Sequence, residues 1–208
     1  MRIHTKLLAL LIVALTFGIF ASAASANRLS ISETDFDVIW PETSDLNFTA
    51  GGNTVECSVT LLGSFHSRTI RKVAGLLIGA VRHARIGDCD NGTAIIDVNP
   101  PWVVRYTNFT GTLPNLTGAT LTLTGQRFTI NHEGSGATCI TVANSPANGR
   151  VEIGAGGVVT GLTALGAPTI PIDDVGASFL CDLAGTGAFS GTGNVTDLEG
   201  DTLTVRLI

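Results

Sequence analysis

The chain has 208 residues, 44% hydrophobic and 14% charged, with a formal net charge of −5. That length suits one domain with a sizeable core. The acidic balance argues against a general nucleic-acid partner.

The first 26 residues have the three parts of an export signal. Arg2 and Lys6 give a positive start, Leu7 to Phe20 is almost unbroken apolar chain, and small residues end in Ala24-Ser25-Ala26. This order is the one a signal peptidase accepts. The apolar run is shorter than the roughly 20 residues a membrane-spanning helix needs. Cleavage after Ala26 leaves one domain, residues 27–208, with ten basic and seventeen acidic side chains. No later apolar run is long enough to span a bilayer, so no transmembrane segment is expected in the mature chain. The expected address is secreted or cell-surface.

Four cysteines remain in that domain: Cys57, Cys89, Cys139 and Cys181. An even count in an exported chain reads as two disulfides, with three possible pairings. Pairing Cys57 with Cys89 and Cys139 with Cys181 lets each bridge bracket one local unit. A zinc site made by all four would need a C-x-x-C spacing that the sequence lacks.

Ser67 to Ile86 comes next. At 100° per residue Ile70, Val73, Ala74, Leu77, Val81 and Ala84 share a face, with Arg68, Arg71, Lys72, Arg82 and His83 mostly opposite. That periodicity predicts an amphipathic helix, with Ser67 as its N-cap and Gly87 as its stop. Asp88-Cys89-Asp90-Asn91-Gly92 follows as a turn. Pro100-Pro101-Trp102 opens a strand that continues through Tyr106. Threonine then alternates with apolar residues at Thr120–Thr124, Thr138–Val142 and Thr202–Val205, the period of a half-buried strand. The glycine-rich Gly154–Gly166 reads as a hairpin. Short strands separated by glycine-bearing turns predict a mainly β, α+β domain. The expected architecture is an antiparallel curved sandwich or open barrel, with the helix packed on the sheet.

Two stretches, Gly63-Ser64-Phe65-His66-Ser67-Arg68-Thr69-Ile70 and Thr110-Gly111-Thr112-Leu113-Pro114-Asn115-Leu116-Thr117-Gly118, resemble segments of uncharacterised exported proteins of actinobacteria. The resemblance implies export and brings no activity with it.

Chemistry-bearing residues are sparse. There is no Gly-x-Ser-x-Gly elbow, and His132-Glu133 lacks the second histidine of a zincin helix. His66, His83 and His132 show no metal-ligand spacing. Ser64 or Ser67 with His66 and an aspartate would make a triad only if the fold assembled them. Asp173-Asp174, the nearest thing to a glycosidase pair, would point to opposite faces of a strand. Asp88 and Asp90, and the run Asp197-Leu198-Glu199-Gly200-Asp201, place oxygens near a glycine as calcium loops do, but neither matches the full EF-hand pattern. Glycine runs lack phosphate-cradle spacing. No cofactor is implied. The best lead is charge. Arg68, Arg71, Lys72, Arg82 and Arg85 are half of the mature cations, uninterrupted by an acid. Arg68, Arg71, Lys72 and Arg82 are therefore the candidate contacts for an anionic envelope component. The expected function is a non-catalytic extracellular binding or structural module. The alternative is a small secreted hydrolase whose site is invisible in sequence.

Overall fold

The computed structural model describes residues 28–50, 53–112, 115–142, 146–165 and 187–208. The export signal, Cys181 and the Asp173-Asp174 pair lie outside the described residues, so the Cys139–Cys181 pairing does too. In chain order the strands are β1 Arg28–Ile31, β2 Asp35–Trp40, β3 Leu46–Ala50, β4 Asn53–Phe65, β5 Thr69–Arg71, β6 Leu77–Asp90, β7 Gly92–Asp97 and β8 Trp102–Thr112. They continue with β9 Asn115–Thr124, β10 Arg127–His132, β11 Ala137–Val142, β12 Ala147–Ile153, β13 Val159–Leu165, β14 Gly187–Ser190, β15 Thr192–Thr196 and β16 Val205–Leu207.

Every strand pairing is antiparallel. Eight strands run in the order β4-β2-β15-β13-β12-β9-β8-β6, and β6 pairs back to β4. The expected curved sandwich or open barrel is therefore a closed barrel. Alternation decides which side chains fill it: Phe36, Val38 and Trp40 of β2 point inward and are buried, as are Trp102, Val104 and Tyr106 of β8. Phe36 lies over Gly63, where an added Cβ would come within 2.4 Å of its ring. That position therefore admits no side chain.

Both barrel ends are covered. At one end the sheet β14-β3-β4 meets the sheet β11-β10-β7, with Phe48 set edge-on to Phe128 at 5.1 Å. At the other, the three strands β16-β1-β5 form a cap. Its inner residues Leu29, Ile31, Ile70 and Val205, with Leu203 just ahead of β16, close over a wholly apolar cavity of about 70 Å³ inside the barrel.

The predicted helix over Ser67–Ile86 is absent. That segment is β5, a turn at Gly75 with φ 81°, and the start of β6. Two of the residues placed on the helix's core face, Val73 and Leu77, are 56% and 41% exposed. β6 hydrogen-bonds to β4 on one side and β8 on the other, so its backbone groups are satisfied between strands. Its period-two signal is broken by register shifts at Leu77/Gly79 and again where Arg82 is the extra residue between the pairs Leu62–His83 and Gly63–Val81. Two bulges in a short span scatter apolar residues into a pattern that mimics 3.6.

Cys57 and Cys89 sit directly opposite each other on β4 and β6 and form a disulfide, Cα to Cα 4.0 Å. The bridge cross-links two neighbouring strands. Among the described residues no helix is long and apolar enough to cross a membrane.

Candidate functional site

The cap is short but its register is definite. Arg28 of β1 stands directly across from Arg71 of β5, and Ser30 stands across from Arg206 of β16. Leu29 and Ile31 alternate with these and point into the barrel. Arg28, Arg71 and Arg206 are all exposed, so period two puts three arginines on one outer face. Directly opposed side chains have Cβ atoms about 4.5–5.5 Å apart, and diagonal ones, such as Arg28 and Arg206, about 7–8 Å. The three ion pairs formed among the described residues are Arg68–Glu33, Arg127–Asp97 and Arg150–Glu152. None of the three cap arginines takes part. The chain continues past both edges of this face: the Val73 N–H donates to the Arg71 carbonyl at 2.9 Å, and the Ile208 N–H to the Arg28 carbonyl at 2.9 Å. Val73 and Ile208 are 56% and 55% exposed.

The cations expected to share one face are thus dispersed. Arg68 is occupied by Glu33. The Lys72 ammonium sits 4.9 Å over the Phe109 ring. Arg82 is on the β6 bulge, beside His83, in a shallow depression that also includes Asp35. Only Arg71 belongs to the cap cluster. Its companions Arg28 and Arg206 are not legible as partners in the sequence, because they lie at opposite ends of the domain. The available signal is the strict out-in alternation of Arg28-Leu29-Ser30-Ile31 and Val205-Arg206-Leu207, which gives facing but not neighbours.

The carboxylate candidates have plain structural roles. Asp88 and Asp90 are exposed on β6, with Asp90 opposite Glu56. The turn beyond them carries Asn91 at φ 64° and Gly92 at φ 150°. The Asp197, Glu199 and Asp201 oxygens lie within 4.8 Å of one another. Asp197 Oδ1 accepts the backbone N–H groups of Glu199 and Asp201 at 2.9 and 2.8 Å. The loop's own hydrogen bonds account for this cluster.

Serine and histidine meet twice. Ser64, His83 and Asp35 share the depression beside Arg82, of about 210 Å³, but no hydrogen bond joins any two of their side chains among the described residues. In the β10–β11 hairpin turn, His132 Nδ1 lies 3.1 Å from Ser135 Oγ and also accepts the Ser135 N–H. Ser135 Oγ donates its proton to Asn53 Oδ1 at 2.9 Å. These contacts tie the hairpin turn to the start of β4. His66 is exposed at the end of β4.

Asp37 lies on the outer wall of the barrel between Leu62 and Thr196. Burial raises its carboxyl above the ordinary range; Arg85 partly opposes this and Asp197 adds to it.

No protein-family model, curated protein or solved structure matches the chain. The functional reading therefore rests on the geometry above.

Proposed function

We propose that the chain is an exported, non-catalytic binding module that works outside the cytoplasm, and that its partner is an anionic component of the cell envelope. The observation that carries this reading is the cap's outer face, where Arg28 and Arg71 oppose each other and Arg206 stands diagonal to Arg28. Like charges placed directly across two strands destabilise a sheet, and no acid of the described residues pairs with them. A row of cations kept at that cost is suited to a negative charge brought from outside. The disulfide between Cys57 and Cys89 fits an oxidising compartment, and the export signal would bring the chain there.

The test is co-sedimentation of the processed protein with envelope fractions. The wild type should pellet at low salt and be released near 1 M salt, where the screening length falls to about 3 Å. The triple variant Arg28→Gln, Arg71→Gln, Arg206→Gln should remain in the supernatant. Wild-type protein that never pellets removes the reading. N-terminal sequencing of the same material should begin at Asn27; an intact Met1 would refute the cleavage.

A further inference from the structure

We infer that the anionic component is the surface of a phospholipid bilayer, and that the cap docks on it with its Arg28 end foremost; this rests on the binding-module reading above. Two observations separate a bilayer from a soluble polyanion. The first is the apolar flank. Ile208 continues β16 alongside Arg28 and Val73 follows Arg71, and both side chains are more than half exposed. A phosphate-bearing polymer offers such residues nothing, whereas a bilayer interface takes apolar side chains at headgroup depth while cations meet the headgroups. The second is the polarity of the cap. The acids Glu33, Asp35, Asp197, Glu199 and Asp201 gather around one depression beyond the Ile31 end of β1. Arg28 and Ile31, at the two ends of β1, are roughly 10 Å apart at strand spacing, and Glu33 follows beyond Ile31. That separation exceeds the screening length of about 8 Å in physiological salt. Arg28 and Arg71, at the other end, therefore act on a surface without cancellation by these acids, while Arg206, across from Ser30, stands nearer to them. The acids in turn are repelled by the same surface. This separation of charge lets an acidic protein dock on a negative bilayer with its Arg28 end foremost.

The experiment uses the processed protein, since a retained export signal would bind any vesicle. Sedimentation is measured against phosphatidylcholine vesicles with and without phosphatidylglycerol. Binding should need the anionic lipid. Each of Arg28→Gln, Arg71→Gln and Arg206→Gln should weaken it about fivefold, the effect expected of one cation near an anionic leaflet, with melting curves checking that each variant folds. The pair Val73→Ser, Ile208→Ser should weaken vesicle binding while leaving any retention on a soluble anionic polymer unchanged. Equal binding to both vesicle types, or arginine variants that bind like wild type, overturns the inference. Arginine-dependent binding to a soluble polyphosphate with none to vesicles overturns the bilayer while leaving the anionic partner standing. Loss of envelope co-sedimentation as well removes both.

Discussion

Arg71 is exposed and, among the described residues, faces only another arginine across the strand pair and forms no ion pair. Relieving that opposition should stabilise the fold: Arg71→Gln is expected to gain about 0.2–1 kcal/mol, the scale of a cross-strand pair. Denaturant midpoints at low and high salt check it. The gain should shrink as salt rises, and a loss of stability at low salt would mean that Arg71 has a partner in the fold. A residue that weakens folding while strengthening binding is what the proposed function requires at this position. Asp37 supplies a second test at this scale. Its Oδ1 is buried without a hydrogen-bond partner, and burial raises its pKa. A carboxyl whose folded pKa is above its unfolded value binds a proton more readily when folded. It therefore costs stability at neutral pH, and the cost disappears as pH falls through the folded pKa. Asp37→Asn should stabilise the protein at pH 7, with the advantage fading in acid. A pH-independent difference would show that the charge is not the cause.

The identity of β6 as a strand turns on a glycine. In an exposed helix, Gly79→Ala would gain about 1 kcal/mol. In the observed strand, a Cβ at Gly79 would come within 2.5 Å of the Ser64 carbonyl oxygen on β4. Neither backbone can yield without breaking the β4–β6 ladder, so Gly79→Ala should destabilise instead, by more than the usual 0.5 kcal/mol of a surface change. A stabilising result in thermal melts would restore the helix. Elements whose signal is local are legible in the sequence alone. Thr120–Thr124 falls within β9, Thr138–Val142 within β11, and Trp102 opens β8, because uninterrupted alternation and a flanking glycine are properties of a few adjacent residues. The 67–86 segment reads as a helix because bulges remove that alternation, and because cations with apolar residues at helical spacing are also what a bulged barrel strand presents. The Cys57–Cys89 pair is expected from proximity around a helix, yet it forms because two long strands lie side by side. The arginine face is hidden for a further reason. β1 and β16 are joined by pairing between the two ends of the domain, and no local pattern encodes which strand becomes whose neighbour.

At the scale of the whole molecule, the barrel and its two covers share strands as well as surface. β4 and β6 are 13 and 14 residues long. Each spans the barrel wall and continues toward the end sandwich, where the disulfide joins them. β1, by contrast, adds Leu29 and Ile31 to the barrel core from the cap. The cap has no core of its own: its three strands hold three or four residues each, and an isolated sheet of that size is marginal in water; the sandwich residues Phe48, Phe128 and Ile130 belong to one continuous core with the barrel. The cap, barrel and sandwich should therefore unfold together. Two truncations at opposite ends test this. Ile31→Ala in the cap and Phe128→Ala in the sandwich should each cost about 2–5 kcal/mol, since each buried side chain leaves a cavity. Each should shift one common transition, followed by tryptophan fluorescence and by far-UV circular dichroism, with coincident midpoints. Reducing the Cys57–Cys89 bridge should lower that same transition by about 2–5 kcal/mol. Separate midpoints for the two probes, with Ile31→Ala moving only one, would show the cap opening by itself. The arginine face would then ride on a detachable element, and docking at a surface could expose the apolar cavity beneath it. Coincident midpoints fix the arginines to the barrel as one rigid unit, which is what an orientation set by charge requires.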